Sequence, residues 1–268
     1  MLFEILLYPY KSLTRKTYII IIMSGDDFFV KLGASIVVLG VVLLLTQKLE
    51  KPQPGVFDLK YHIIYWVVAG LLIGLLPVHI SGIIFSELTL VLVGSVIPVY
   101  ESVLAVCTPD EDDDTDWLRY WTVGGIFFMV TGWVDELTDD IGDTYWYKAA
   151  IFFLFWLYFP KTNGAYWIDE KINQKYLGPR IKPLQAKLTN IIEGTIQLLS
   201  SAVHLYLLWI FFLFLPQEVK KFVAIAVGVV YPFISSVVAI ATEELEDDTY
   251  WLTYWSCYGV LFLFIEVT

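Results

Sequence analysis

The residues in this chain best equipped for chemistry are carboxylates. Asp110, Glu111, Asp112, Asp113, Asp114 and Asp116 crowd one short stretch. Asp110, Asp112 and Asp114 alternate as at the start of a calcium loop. The rest of that loop is not there. Thr115 stands at the sixth position, where glycine makes the sharp turn, and Trp121 at the twelfth, where a bidentate glutamate belongs. The better reading is a solvated helix start, with Thr115 as N-cap and acidic side chains against the positive end of the helix dipole. Other ligating types are dispersed. His62, His79 and His204 are single residues suited to packing or an interface. Cys107 and Cys257 are read as reduced thiols. The sequence shows no nucleophile–base pair, phosphate loop or metal-ligand spacing, so no enzyme, cofactor or metal is expected.

The acidic stretch belongs to a repeat. Asp112–Trp121 reads DDDTDWLRYW, and Glu246–Trp255 reads EDDTYWLTYW. Asp113, Asp114, Thr115, Trp117, Leu118, Tyr120 and Trp121 correspond to Asp247, Asp248, Thr249, Trp251, Leu252, Tyr254 and Trp255, each 134 residues on. The register runs back through Pro98 and Pro232, Ser102 and Ser236, and Thr108 and Thr242, and forward to Gly125 and Gly259. Two copies of one unit are therefore expected. Trp117, Tyr120 and Trp121 share one helical face, and such a face is expected at the membrane–water boundary.

Composition supplies the medium in which these elements sit. Of 268 residues, 57% are hydrophobic, 17% aromatic and 17% charged, with a formal net charge of -11. That acidity argues against nucleic acid. Phe28–Leu45 is a first apolar run, followed by a Pro-broken linker at 47–60. Tyr61–Leu76 and Gly82–Val106 form a first hairpin, with Gly70 and Gly74 spaced for close helix approach. Pro98 is expected to kink its arm. Glu101 sits near the end of that arm, close to the interface. Trp117–Val134 and Trp146–Phe159 form a second hairpin across an acidic turn at 135–143. Basic residues then accumulate from Lys161 to Lys187, which places this segment in the cytosol. Ile181, Leu184, Leu188, Ile191, Ile192 and Leu198 recur with helical spacing, and Lys187 lies between them. That is the pattern of an amphipathic helix on a membrane surface. His204–Leu215 and Phe222–Ala241 repeat the first hairpin, with Pro232 where Pro98 stood. At the same offset, Trp251–Thr268 repeats Trp117–Val134, and a counterpart of Trp146–Pro160 is lacking. Residues 1–22 are expected to be a variable extension, since Met23 opens an ordinary N-terminus.

These motifs resemble the receptor expression-enhancing protein (REEP) family, with its yeast Yop and deleted-in-polyposis-like members. Pro98, Tyr100 and Ser102 fit its first arm. Asp113 to Thr115, Trp117, Leu118, Tyr120 and Trp121 fit its central motif. Trp156, Pro160, Asn163 and Gly164 fit its return arm. Tyr231, Pro232 and Ser236, then Asp247 to Thr249, Trp251, Leu252, Tyr254 and Trp255, fit the first two again. The chain departs from the family in its tandem form, its extra apolar run and its incomplete second unit. Its expected division is an extension with an apolar helix at 1–55, a first hairpin unit at 56–180, the amphipathic helix at 181–200 and a second, incomplete unit at 201–268.

The resemblance implies an all-α membrane protein of helical hairpins plus an interfacial amphipathic helix. It implies residence in the endoplasmic reticulum membrane with loops mainly cytosolic, self-association as a dimer, and generation of high membrane curvature. Partners would be the lipid bilayer and a second copy of the chain. A trafficking adaptor that carries membrane-protein cargo is the alternative function. A transporter or channel fits less well, because no broken helix gathers polar residues at mid-membrane.

Overall fold

The computed structural model describes residues 29–34, 36–38, 40–41, 59–108, 111–137, 143–198, 202–242 and 245–267. The expected extension at 1–22, most of the linker at 47–60, Asp110 and the core of the 135–143 turn lie outside these. So do Thr268 and the side chains of His79 and Leu198. The described residues are helical with no strand among them, so this is an all-α membrane protein. Within the first apolar run, residues 29–34, 36–38 and 40–41 are helical.

The first hairpin comprises α1 (Leu59–Leu75), the short α2 (Val78–Ile84), α3 (Glu87–Val91) and α4 (Ile97–Cys107), with a π turn at Leu92–Val96 joining the last two. The sequence suggests one arm beginning at Gly82. The structure instead restarts the helix after Ser86, whose hydroxyl accepts from the Thr89 N–H. Gly70 and Gly74 are exposed, with nothing near the place of a Cβ, so among the described residues their spacing serves no helix packing. α5 (Glu111–Leu137) and α6 (Asp143–Tyr158) form the second hairpin. α7 (Gly164–Ile168), a π segment at Asp169–Leu177 and α8 (Gly178–Leu198) follow it. α9 (Ala202–Phe214), α10 (Gln217–Ile225), a π turn at Ala226–Val230, α11 (Tyr231–Ala239) and α12 (Leu245–Val267) complete the described chain.

The repeat is visible in the backbone. The π turns at Leu92–Val96 and Ala226–Val230, the helices that start at Ile97 and Tyr231, and those that start at Glu111 and Leu245 all keep the 134-residue register. Proline explains the π turns. Pro98 has no N–H, and in a regular α-helix its ring would press on the carbonyl four residues back. The helix widens just ahead of it, so that Ile97 N–H reaches Leu92 O. This leaves carbonyls without their usual donors, which is costly away from water. Tyrosines supply the missing hydrogens. Tyr120 Oη donates to Gly94 O at 2.8 Å, and Tyr158 Oη to Val93 O at 3.1 Å. In the second repeat Tyr254 Oη donates to Gly228 O at 2.6 Å. Pro98 thus leaves a widened turn that a neighbouring helix closes.

Two further contacts fasten the first hairpin to the second. Lys148, 1% exposed, sends Nζ to Ile73 O at 3.2 Å, meeting an orphan carbonyl of the last turn of α1. Tyr65 Oη donates to Phe152 O at 2.6 Å. The core around them is aromatic and aliphatic, with Leu154 and Leu157 fully buried. Two stretches are long and apolar enough to cross a bilayer, Leu88–Cys107 and Gln217–Ala239, and they occupy equivalent places in the two repeats.

If Tyr120 closes the turn that Pro98 opens, Tyr120→Phe should cost about 1–3 kcal/mol of stability, the cost of one unsatisfied buried carbonyl. In a Pro98→Ala background, where Gly94 O regains a backbone donor, the same change should cost less than half as much. Thermal unfolding of the four variants in detergent measures the cycle, and equal costs in both backgrounds would refute the coupling.

Candidate functional site at the seam between the repeats

The acidic motif does not end in a solvated cap. α5 begins at Glu111 and α12 at Leu245, so Thr115 and Thr249 lie one turn inside their helices. The N-cap expectation for Thr115 is corrected, and the same holds for its counterpart Thr249. Each hydroxyl reaches across to the other repeat: Thr115 Oγ1 donates to Asp248 Oδ2, and Thr249 Oγ1 donates to Asp114 Oδ2. A hydrogen bond to a carboxylate is stronger than a neutral cap, which is the physical reason the hydroxyls turn outward from their own helices. The exchange is reciprocal, as at a two-fold interface. Asp114 and Asp248 are each 2% exposed.

The aromatic residues one turn on extend the seam. Trp121 Nε1 donates to Ser102 Oγ and Trp255 Nε1 to Ser236 Oγ, both at 2.9 Å. Leu118 packs with Ala239 and Ile240 of the other repeat, flanked by Trp251 and Trp255. Leu118 and Leu252 are fully buried. The expectation of an aromatic face at the headgroups is corrected for Tyr120, which is buried with its ring against Tyr158, centroids 5.5 Å apart. Trp117 also turns inward to Tyr158, at 5.7 Å. For Tyr120 the cause is its hydroxyl, which finds a fixed acceptor in Gly94 O inside the protein and none in lipid.

Around this seam the remaining motif residues divide. Pro98, Ser102, Pro160, Gly164, Pro232 and Ser236 are buried, Asp113, Asn163 and Tyr231 half-buried, and Asp247 exposed. Tyr100 faces outward, 53% exposed, and takes no part. In the return arm Trp156 Nε1 donates to His62 Nδ1 at 3.2 Å, which makes His62 a packing residue. Asn163 adopts a left-handed conformation, φ 40°, that turns the chain. Gly164 then passes so close to the Trp156 ring that any Cβ would fall 2.5 Å from it. Glu101 is half-buried, His204 exposed, and Cys107 and Cys257 are unbridged.

A buried polar cluster, missed in the sequence, braces the seam from the side. Arg119 pairs with Asp116 at 3.1 Å and Asp169 at 3.7 Å, and lies over the Tyr166 ring. Asn173 and Gln174 donate to Asp169, and Gln174 also lies 3.4 Å from Val237 O of the second repeat. Burial pushes the Asp169 carboxyl above its usual range, tempered by these donors and Arg119. The available signal was the acidic pair Asp169 and Glu170 in an otherwise basic segment.

In α8, Ile181, Leu188 and Ile192 are half-buried along the face that runs beside α11. Leu184 and Ile191, on the adjoining strip, stay exposed at 46% and 64%, and Lys187 is exposed.

The TB2/DP1, HVA22 family profile matches residues 98–176, the stretch from the buried Pro98 through the polar cluster. Protein YOP1 of Candida glabrata is 34% identical over 121 residues, which cover 43% of this chain and 67% of that protein. The chain belongs to the TB2/DP1, HVA22 family. Family relatives also include Protein YOP1 of Saccharomyces cerevisiae, 32% identical over 110 residues (40% of this chain, 59% of that protein). HVA22-like protein e of Arabidopsis thaliana is 33% identical over 75 residues (28% and 63%). The chain spans roughly half to two thirds of the length of the relatives it matches. No solved structure matches. The family profile falls within the first repeat, and the second repeat is tied to the first by the internal register and the shared contacts.

The seam should respond to acid. Burial is the main cause that pushes the Asp248 carboxyl up to about 6, with Asp247 and Asp114 adding to it and the Thr115 hydrogen bond and Arg119 opposing it. In the unfolded chain it titrates near 3.8. Between these values only the folded form holds the proton, so stability falls as pH rises through that window and levels off above it. Unfolding temperature in detergent should therefore be higher near pH 5 than at pH 7.5. Asp248→Asn, which keeps an acceptor for Thr115, should flatten that part of the profile, and an unchanged slope would refute the assignment.

Proposed function

We propose that this chain shapes and stabilises high-curvature endoplasmic-reticulum membrane, as the resemblance to its family implies. The observation that carries this reading is a mismatch of lengths. The two full spans flank the seam, each packed against α5 and α12, and face each other across it. The apolar helices around them are short: Leu59–Leu75, Trp146–Tyr158 and Val203–Phe214. At 1.5 Å per residue they reach only about 18–25 Å, against a hydrocarbon core of about 30 Å. The first and last of them nevertheless expose apolar side chains suited to lipid. In α9, Val203, Tyr206, Trp209, Phe211 and Phe214 are all more than half exposed. Helices that enter from one side and stop short add area to one leaflet more than to the other. The exposed Leu184 and Ile191 strip of α8 would add more at the same surface. Unequal area bends the bilayer toward the larger leaflet.

A wedge bends a membrane only if it does not deform first. The seam provides that stiffness: paired hydrogen bonds tie α5 to α12 across the repeats, and tryptophan–serine bonds fasten each of these helices to the span of its own repeat. On this reading the two repeats act as a covalent counterpart of a dimer, and self-association of whole chains would extend the bent patch. The role is mechanical, with the lipid bilayer as the partner.

Purified protein reconstituted into liposomes should yield tubules or small vesicles visible by electron microscopy at high protein density. The double variant Thr115→Val, Thr249→Val should insert equally well and remodel less. Smooth, large vesicles at high density of inserted wild-type protein would overturn the proposal.

A further inference from the structure

The seam is closed by the reciprocal Thr–Asp bonds at one end, yet further in it encloses a cavity of about 200 Å³ between the repeats. Its wall draws on equivalent positions of both: Trp121 and Trp255, Val99 and Phe233, Gly125 and Gly259. The two halves are not equal, and the inequality makes the hole. Gly259 presses on Val99 so tightly that a Cβ there would lie 2.6 Å from Val99 Cγ2. At the equivalent place Gly125 faces open space, with nothing within 4 Å of a Cβ. Position 99 carries valine and position 233 the bulkier phenylalanine, so the repeats close on one side and are wedged apart on the other.

The site cannot readily collapse. Both indoles in its wall are tied through Nε1 to serines, and the reciprocal Thr–Asp pairs fix the spacing of α5 and α12. The lining is almost wholly carbon, with Ser95 Oγ and the Tyr258 ring among the few polar-bearing groups. Its depth is set by the two spans. Val99 lies near the middle of Leu88–Cys107, and Val229, also in the wall, near the middle of Gln217–Ala239. The cavity therefore lies level with the hydrocarbon core. Apolar cavities of this kind exclude water, and one of about 150 Å³ admits a benzene. A slightly larger one, open at lipid depth, suits several methylenes of a flexible chain.

We propose that this cavity holds an acyl chain of a membrane lipid, taken up between the repeats at mid-span. The inference rests on the membrane reading above and adds a ligand of stated chemistry to it. A chain held there would fill the gap beside Gly125 and couple the separation of the spans to the lipid around them.

The test uses the full chain in bilayers containing a phosphatidylcholine with a photoreactive diazirine midway along one acyl chain. After irradiation, wild-type protein should carry label on both walls, in peptides spanning 121–128 and 229–233. The exposed helix α9 should be labelled as well, and reports insertion independently. Gly125→Leu places a side chain in the void, and should lower wall labelling by at least about tenfold while leaving α9 unchanged, as loss of most of the apolar contact predicts. Gly125→Ala, a smaller filling, should lower it less, and serves if the leucine variant fails to fold. Label on α9 with none on the wall would overturn the acyl-chain site and leave the membrane reading standing. Label on neither would count against both. Displacement of the wall label by a photoreactive sterol at equal concentration would overturn the assignment to an acyl chain.

Discussion

The structure depends on a hydrogen that is missing. Proline at 98 and 232 cannot donate to the carbonyls behind it, and at these depths no water replaces the lost bond. Each helix widens into a π turn, and each turn is closed by a tyrosine on the next long helix. This ties Pro98 to Tyr120 and Pro232 to Tyr254 across the same 22-residue interval. The next residue, Trp121 or Trp255, lies a step round the same helix and reaches the serine four positions after the proline. Two adjacent aromatic side chains thus lock one helix against its neighbour at two points. The packing of α5 on α4, and of α12 on α11, follows from satisfying polar atoms in an apolar medium.

That lock leaves the acidic end of each long helix free to meet its counterpart. A buried carboxylate is costly unless something neutralises or bonds it. Asp114 and Asp248 each take a hydroxyl from the opposite repeat, so either repeat alone would lack a partner that the other supplies. Arg119 supplies positive charge nearby, bound on its other side to Asp116 and Asp169. The polar cluster thereby connects the seam to the start of α8, through Gln174 and the backbone of α11. Because both repeats lie on one chain, their pairing is intramolecular and does not weaken on dilution as a two-chain dimer does.

Much of this was legible in sequence at the level of elements. Long apolar runs, a 134-residue register and turn residues gave the helices and their order. The reading of Thr115 as an N-cap failed because local rules see only the neighbours along the chain. Its partner, Asp248, lies 133 residues away. The aromatic face was misplaced for the same reason. Trp and Tyr favour an interface because their polar tips need partners, and here the partners are Ser102 and Gly94 O, which no window around Tyr120 contains. Pro98 did mark a disturbed turn, but the residue that repairs it becomes evident only when α4 and α5 are side by side. Lys148 in an apolar run was the clearest unread signal, since a buried ammonium requires an acceptor and the last turn of α1 offers one.

The asymmetry between repeats is as informative as the likeness. Two identical halves joined by reciprocal bonds would meet along a symmetric surface, with Gly125 and Gly259 each seated on the same residue. Valine at 99 and phenylalanine at 233 break that arrangement, so one glycine closes on its neighbour and the other does not. A chain built from two unequal halves can hold a void between them, because the bonds that set its spacing lie above the void and beside it. The same inequality separates the outer helices. In the first repeat α6 covers the π turn, with Tyr158 bonded to Val93 O, whereas at the equivalent face of the second Val227 is 57% exposed. Among the described residues, the widened turn of the first repeat is thus closed by two tyrosines, Tyr120 and Tyr158, and its counterpart in the second by Tyr254.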